Sequence, residues 1–153
     1  MAAPDAIALL KADHRAVEAL FEDFKSARGA GRKAAIVHQI CVDLTVHTMI
    51  EEEIFYPACR GAIADSTLDE AYVEHDGAKL MIAELSDAAP NEAFYDAKVK
   101  VLSEEIRHHV HEEEMRSEGM FAQARHAGLD MDELGERLLA RKTQLKTQFE
   151  TTG

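Results

Sequence analysis

The sequence predicts an all-α fold, an antiparallel up-down four-helix bundle with an additional C-terminal helix. Apolar residues recur every three or four positions over long segments, which is the periodicity of helices that bury one face. Only three prolines and eight glycines interrupt the 153 residues. Helices of about 20 to 28 residues joined by short loops are therefore expected. No segment sustains an alternation of apolar and polar residues, so the sequence predicts no sheet.

Residues 1–153 are expected to form a single domain, with the bundle over residues 5–127 and the last helix over about 130–148. A chain of this length buries a sizeable core without disulfides. Cys41 and Cys59 fall in one predicted helix. At roughly 1.5 Å per residue they lie about 27 Å apart, which is too far for a disulfide. Reduced thiols indicate a cytoplasmic protein.

The charge balance disfavours nucleic acids and membranes as partners. The formal net charge is −12 at pH 7, whereas nucleic acid and anionic lipid both favour basic surfaces. No apolar run approaches the roughly 20 residues that span a bilayer. The start, Met-Ala-Ala-Pro-Asp-Ala, lacks the basic and apolar regions of a secretory signal. We interpret the acidity as a solvated surface that keeps the protein soluble.

The first two helices carry clear apolar stripes. The first is expected to begin near Pro4 and Asp5, since proline suits a first turn, and to end before Gly29. The second is expected over about residues 32–59, with Pro57 distorting or closing its last turns. The inward stripe of the first helix reads Ile7, Leu10, His14, Val17, Phe21 and Phe24, and that of the second reads Ile36, Ile40, Leu44, His47, Glu51 and Ile54.

The later helices are bounded by turn and cap residues. Ser66 or Thr67 is expected to cap the third helix, Asn91 the fourth, and Asp130 or Asp132 the fifth. The fifth helix has sparser apolar positions and is expected to lie against the bundle rather than complete it. The stripes read Leu68, Tyr72, His75 and Ile82 on the third helix, Tyr95, Val99, Leu102, Ile106, His109 and Glu113 on the fourth, and Leu134, Leu138 and Leu145 on the fifth.

Six polar residues stand at stripe positions that leucine, isoleucine, valine or phenylalanine fill elsewhere. They form one pattern in two copies, a histidine followed 33 or 34 positions later by His-x-x-x-Glu, with matching positions 61 or 62 residues apart. Burying one unpaired polar group costs about 1–3 kcal/mol, so the six are expected to satisfy one another or a ligand. The residues are His14, His47 and Glu51 in the first copy, and His75, His109 and Glu113 in the second.

Each copy offers two imidazoles and a carboxylate, and together the two copies make a set suited to two metal ions. This combination suits iron better than magnesium or calcium. The alternative is a metal-free network of histidine–glutamate hydrogen bonds, which the duplication disfavours. On the fourth helix His109 continues the apolar track, whereas His111 follows a solvent-facing track and His108 lies at the boundary. His38 and His126 belong to neither copy and are expected at the surface.

The motifs resemble those of the hemerythrin-like, or HHE cation-binding, domain family over residues 5 to about 127. The matching segments are Lys-Ala-Asp-His14, His47-Thr-Met-Ile-Glu51-Glu-Glu-Ile-Phe-Tyr-Pro57, Glu74-His75 and His109-Val-His-Glu-Glu113. The resemblance implies a non-haem centre of two iron ions joined by an oxo or hydroxo group. It also implies that His14 and His47 serve one iron, that His75 and His109 serve the other, and that Glu51 and Glu113 bridge them.

Two further positions bear on the chemistry. Oxygen-carrying hemerythrins have another histidine four residues after the third-helix ligand, and here that position is Lys79. The resemblance therefore implies a more open site than a carrier has, with Lys79 turned to solvent or paired with an acidic neighbour. Tyr72, one turn before His75, is either a metal ligand, a hydrogen-bond donor to the site or a tyrosine at the core edge. Glu52 is expected to point off the stripe and to matter little.

The function expected from these residues is binding of, or reaction with, a small molecule such as oxygen, hydrogen peroxide or nitric oxide, in oxidative or nitrosative stress. An oxidase- or peroxidase-like activity fits this hypothesis. A protein partner would supply the electrons for such an activity. The alternative is an iron-responsive regulatory or iron-donating module that acts through a protein partner, because metal occupancy controls the folding of such modules.

Overall fold

The computed structural model describes residues 4–152, with side chains described to residue 150, and over these residues it is helical throughout apart from loops. One isolated bridge joins Arg60 and Ile63, and residues 4–152 contain no strand. Among them no helix combines the length and apolar content needed to cross a bilayer. The helices are α1 (Ala6–Ser26), α2 (Ala30–Ile50, continued by a π-helical turn Glu51–Phe55 and an α-helical end Tyr56–Cys59), α3 (Asp65–Ser86), α4 (Tyr95–Glu114), α5 (Met120–His126) and α6 (Met131–Thr152).

Helices α1 to α4 form the predicted four-helix bundle, and α6 is the predicted additional helix. Contacts join α1 to α2, α2 to α3, α3 to α4 and α4 back to α1, so the four helices enclose a common interior. Helix α1 begins where predicted, because the Asp5 carboxylate accepts a hydrogen bond from the Ala8 amide at 2.8 Å. Gly29 has a φ of 84°, a value that glycine adopts readily, and it reverses the chain before α2.

The apolar core has two parts that flank the middle of the bundle. On α1 one part includes Leu10 and the other Val17, with His14 between them in sequence. On α3 the corresponding positions are Ala71 and Ala78, with His75 between them. The polar stripe residues therefore lie where the two apolar clusters meet, and each cluster packs against one side of that polar layer.

The π-helical turn in α2 changes which residues face inward. The Tyr56 amide donates to the Glu51 carbonyl five residues back, so the turn holds one extra residue and rotates the following face. Phe55 and Tyr56 are consequently fully buried, while Ile54, expected on the inward stripe, is only half-buried. The prediction for Ile54 was wrong because it assumed a regular helix. Pro57 lies two residues after the π-helical turn, and α2 ends at Cys59, within the last turns where the proline was expected to distort or close the helix.

Two of the predicted helix caps were also wrong. Helix α3 begins at Asp65 with Ala64 at the cap, so Ser66 and Thr67 lie inside its first turn. Helix α4 begins only at Tyr95, after Phe94 in the left-handed conformation at a φ of 67°, and not at a cap on Asn91. The buried face of α4 starts with Tyr95, and no side chain caps the helix.

Helix α6 lies against the bundle as predicted. The Asp130 carboxylate accepts from the Glu133 amide at 3.0 Å and caps the helix, which ends at Thr152, later than expected. It packs on α1 and α2 through the buried residues Leu134, Leu138 and Leu145. A Cβ on Gly135 would come within 2.2 Å of the Pro4 carbonyl oxygen, so this close packing requires glycine.

Helix α5 was not predicted. It contains seven residues, too few for a 3.6-residue periodicity to be recognised in the sequence. Its residues Met120, Phe121 and Ala124 are buried and belong to the same apolar cluster as the start of α1. The Phe121 ring stacks on the His14 ring, with centroids 5.8 Å apart and planes 9° from parallel, so α5 closes one side of the polar layer.

Candidate metal centre

The six polar residues that the repeat singled out converge in the middle of the bundle. All six are buried, with exposed fractions of 7% or less. Each His-x-x-x-Glu pair places two side chains one turn apart on the same helix face, and the lone histidines of α1 and α3 meet them from the neighbouring helices. The residues form two clusters with potential ligand atoms within 4.8 Å of one another, namely His14, His47 and Glu113, and Glu51, His75 and His109.

The two glutamates stand between the clusters. Glu113 turns one oxygen, Oε1, to His14 Nε2 at 3.1 Å and the other, Oε2, to His109 Nε2 at 3.3 Å. Glu51 Oε1 lies 3.2 Å from His47 Nε2 and 3.1 Å from His75 Nε2. Each carboxylate therefore contacts imidazoles from both halves of the repeat, which is the placement that a carboxylate bridging two cations requires.

Several of these atoms lack the hydrogen bonds that burial demands. Four buried side-chain atoms, all in this centre, make none within residues 4–150: His14 Nε2, His47 Nε2, Glu51 Oε2 and Glu113 Oε1. Leaving such a group unsatisfied costs about 1–3 kcal/mol. Cations bound between the imidazoles and carboxylates would satisfy them together, so the residues present fit a metal centre. Mixed imidazole and carboxylate ligands suit iron and related transition metals.

Each of the four imidazoles contacts a carboxylate through its Nδ1 atom. Glu114 accepts from Nδ1 of His14, and Asp13 contacts Nδ1 of His47 at 2.9 Å. Glu52 lies 2.8 Å from Nδ1 of His75, and Glu74 lies 2.6 Å from Nδ1 of His109. Bonding at Nδ1 leaves Nε2 available to the interior and fixes the orientation of the ring, as outer carboxylates do for metal-bound histidines.

The sequence repeats these outer carboxylates in both copies of the pattern, although they do not lie on the inward-facing stripes. An acidic residue directly precedes the lone histidine in both copies (Asp13 and Glu74) and directly follows the glutamate in both copies (Glu52 and Glu114). They were missed because they lie beside the inward stripe, and each contacts the histidine of a neighbouring helix. The expectation that Glu52 matters little is not supported by its contact with His75.

Glu52→Ala is expected to lower the affinity of the centre for metal by roughly tenfold, the lower end of the range for losing such an outer partner. The reason is that His75 would lose the carboxylate that orients its ring. Titration of the metal-free protein with ferrous iron under anaerobic conditions measures the effect. Glu53→Ala is the matched control, because Glu53 pairs with Arg141 at 2.9 Å on the outside of α2. Equal affinities for the two variants would contradict this role of Glu52.

Lys79 pairs with an acidic neighbour, which is one of the two arrangements expected for it. Its Nζ lies 2.9 Å from the Glu52 carboxylate and 3.7 Å from Asp76, and its side chain is 46% exposed. The ammonium group is therefore held at the surface, where the Glu52 carboxylate separates it from His75. This position of the third helix contributes no imidazole to the interior.

Tyr56 is the residue at the centre that sequence reasoning missed. Its hydroxyl lies 2.8 Å from Glu113 Oε2, 3.1 Å from Glu51 Oε1 and 3.2 Å from Nε2 of both His75 and His109. Burial raises the pKa of the phenol well above its usual value, and the adjacent carboxylates raise it further. In the metal-free chain it therefore stays protonated and donates to a carboxylate. The π-helical turn brings it inward, and a regular helix would have placed it off the stripe.

Tyr72, the tyrosine singled out from the sequence, lies one layer farther out. Its ring packs edge-on against the Tyr56 ring, with centroids 5.3 Å apart. The Arg60 guanidinium lies over its other side, 5.7 Å from the ring centroid. The structure thus places Tyr72 at the core edge, the third of its expected roles, and Tyr56 within reach of both glutamates.

Without metal, the carboxylates of the centre favour the protonated form of two of its histidines. Burial by itself lowers the pKa of His47, but Glu51 and Asp13 together raise it to about 10. The pKa of His109 is likewise raised against the effect of burial, chiefly by Glu113. Burial raises the pKa of Glu51, yet the imidazoles around it bring that pKa well below its usual value. A metal ion entering the centre therefore has to displace protons from the histidines.

The remaining histidines lie outside the centre. His108 is 61% exposed and contacts Glu74 and Glu112 at the surface, and His111 is exposed. His109 alone of the three enters the interior, in the register that the apolar track predicts. His38 and His126 are exposed, as expected.

An all-α bundle that buries two histidine and glutamate clusters at its centre defines a hemerythrin-like, metal-binding helical protein. The model of the family described as hemerythrin HHE cation-binding domain matches residues 5–124. The chain belongs to that family, and the resemblance drawn from its motifs is confirmed.

Two further similarities agree with this assignment. A solved structure of a hemerythrin HHE cation-binding domain-containing protein from Mycobacterium kansasii superposes with a TM-score of 0.79 at 21% identity, over 95% of this chain and 89% of that one. At this identity the likeness shows the fold. A curated relative described as a DNA nickase, from Nostoc sp. (strain PCC 7120 / SAG 25.82 / UTEX 2576), is 26% identical over 106 residues. The match spans 69% of this chain but only 30% of that relative.

Proposed function

We propose that the chain is a non-haem di-iron protein that binds or reacts with a small molecule, namely oxygen, hydrogen peroxide or nitric oxide. The observation that carries the proposal is the set of four unsatisfied buried atoms shared between two clusters of two histidines and one glutamate. Such a set suits two cations, with His14 and His47 on one, His75 and His109 on the other, and Glu51 and Glu113 between them.

The groups around the centre support a reaction of the bound metal with a small molecule and not the storage of iron alone. Two iron ions would supply one-electron redox changes and open positions for an exogenous molecule. The chain holds the imidazoles in place through outer carboxylates, keeps bulk water out with apolar walls, and offers the Tyr56 hydroxyl as a proton donor beside both glutamates. These features support an oxidase- or peroxidase-like role. We propose further that this role belongs to oxidative or nitrosative stress in the cytoplasm and that a protein partner supplies the electrons.

The composition argues against nucleic acid as a partner. With 29 acidic and 17 basic residues, the chain lacks the positive balance that phosphate backbones attract. We therefore attribute the match with a DNA nickase to a shared helical domain and do not extend nicking to this chain.

Reconstitution of the metal-free protein with ferrous iron is the direct test. We expect two irons per chain by metal analysis, and a change in the visible spectrum on addition of hydrogen peroxide or nitric oxide. One iron or less per chain in carefully reconstituted protein would overturn the dinuclear proposal. Two irons without a spectral response to oxygen, peroxide or nitric oxide would instead favour the iron-responsive module.

A further inference from the structure

A narrow cavity connects the candidate metal centre with the surface beneath α6. It has a volume of about 100 Å³, and its inner end is lined by all four histidines of the centre. Its outer end is lined by Lys142 and Lys146, which α6 contributes. The cavity therefore runs from the C-terminal helix, between α1 and α2, to the inner faces of the imidazoles.

The walls of the cavity are apolar and its mouth is polar. Val17, Leu44, Ile106 and Val110 line the passage, and their side chains bind water poorly. Asp13 and Asp43 join the two lysines as lining residues. Ala12 and Ala16, small exposed residues of α1, also line the cavity, so no bulky side chain of α1 fills this side of the mouth.

The volume limits what the cavity can hold. A water molecule in the liquid occupies about 30 Å³, so the cavity holds roughly three molecules of that size. Molecules of up to about four non-hydrogen atoms fit this space, whereas a larger organic substrate or a peptide does not. The passage thus matches the molecule class of the proposed function and excludes larger reductants from direct contact with the centre.

The two lysines balance the two aspartates at the mouth, so the mouth is less acidic than the chain as a whole. The formal net charge is −12, so the average surface repels anions, whereas Lys142 and Lys146 offset Asp13 and Asp43 in the lining of this passage. Lys142 bonds Asp13 Oδ1, and Asp13 Oδ2 lies 2.9 Å from His47 Nδ1. One carboxylate thus links the mouth to the imidazole behind it, which fixes Lys142 at the entrance.

We propose that this cavity is the route by which small molecules reach and leave the metal centre, and that Lys142 and Lys146 offset the acidic residues at its mouth, so that small anions can enter as well as neutral molecules. This inference rests on the proposed function, because it needs an iron centre at the inner end. It adds a role for α6, which forms the entrance by packing across α1 and α2.

Azide binding to the oxidised, iron-loaded protein tests the route. We expect Ala16→Phe to slow both association and dissociation by roughly tenfold in stopped-flow absorbance, as narrowing of a gated passage does. The equilibrium affinity should stay unchanged, because the substitution alters the passage and leaves both end states alone. Ala19→Phe is the matched control, since Ala19 is exposed on the same helix and does not line the cavity. Iron content and circular dichroism confirm folding.

Lys146→Glu tests the role of the charge at the mouth without touching the Asp13–His47 contact. It should lower the association rate of azide by roughly tenfold at low salt, and less as salt screens the charge. Lys100→Glu, with the same charge change on the exposed face of α4, should leave that rate near wild type. Binding of the neutral probe nitric oxide to the reduced protein should be slowed by Ala16→Phe and unaffected by Lys146→Glu.

The possible results distinguish failure of the access route from failure of the proposed function. Association and dissociation rates of Ala16→Phe equal to those of the wild type would overturn the route. Equal azide association rates in Lys146→Glu and Lys100→Glu would overturn the role of the lysines at the mouth. A change of affinity without a change of rates would also overturn the route, because it would place Ala16 at the binding site itself. Wild-type protein that takes up no iron would overturn the proposed function, and the route with it.

Discussion

Glu113→Ala is expected to reduce the iron bound by the reconstituted protein from two per chain to one or fewer. Glu113 is 1% exposed and turns one oxygen to His14 and the other to His109. Its loss therefore removes a contact from each half of the centre at once. The effect should exceed the roughly 10–100-fold loss of affinity that follows removal of an outer partner of a ligand.

Glu112→Ala provides the matched control for this prediction. Glu112 precedes Glu113 on α4, has a side chain that is 40% exposed and contacts His108 at the surface. The variant makes the same change of charge on the same helix and should retain both irons. Metal analysis after reconstitution and removal of excess iron compares the two. Two tightly held irons in Glu113→Ala would mean that the carboxylate does not bridge the centre.

The anaerobically reduced, iron-loaded protein is expected to be oxidised by air and to stay oxidised when oxygen is withdrawn. The half of the centre around His75 has no third imidazole, because Lys79 is held outside by Glu52. An iron held by His75 and His109 would keep a position open to exogenous molecules, and the Tyr56 hydroxyl, 3.2 Å from His75 Nε2, would serve as a proton donor beside it. Both features favour net reaction with oxygen over its reversible storage.

Absorbance spectra recorded through cycles of air and argon measure this outcome. Lys79→Met should behave like wild type, since the lysine lies outside the interior. Lys79→His places an imidazole at the position where oxygen carriers have one, and it should slow the oxidation. A wild-type protein that gains and loses its oxygenated spectrum repeatedly would be a carrier, and the prediction would fail.

The fold and the six buried polar residues were predictable because regular helices repeat every 3.6 residues. His14, His47, His75, His109 and the two glutamates fall on that period, so one rule places them all on inward faces. The same rule failed for Tyr56 and Ile54, since it does not anticipate the extra residue of a π-helical turn.

Other parts of the site depend on contacts between helices, which a single-helix period does not describe. Glu52 lies off the stripe of its own helix and still reaches His75 on the next one. Helix α5 is too short to show a period, yet it places Phe121 on the ring of His14. The cap residues were misjudged at α3, which begins at Asp65 before both candidates, and at α4, which begins at the buried Tyr95 after its candidate.

The outer carboxylates link the helices in a closed ring. Asp13 of α1 reaches His47 of α2, and α2 reaches α3 through Glu52 and His75. Helix α3 reaches α4 through Glu74 and His109, and α4 returns to α1 through Glu114 and His14. Each of the four bundle helices thus supplies a carboxylate that orients a histidine of the next helix in the ring. Its own histidine is oriented by a carboxylate of the helix before it. Displacement of any one helix disturbs the ring at two points, so the bundle and its centre should assemble, and come apart, as one cooperative unit.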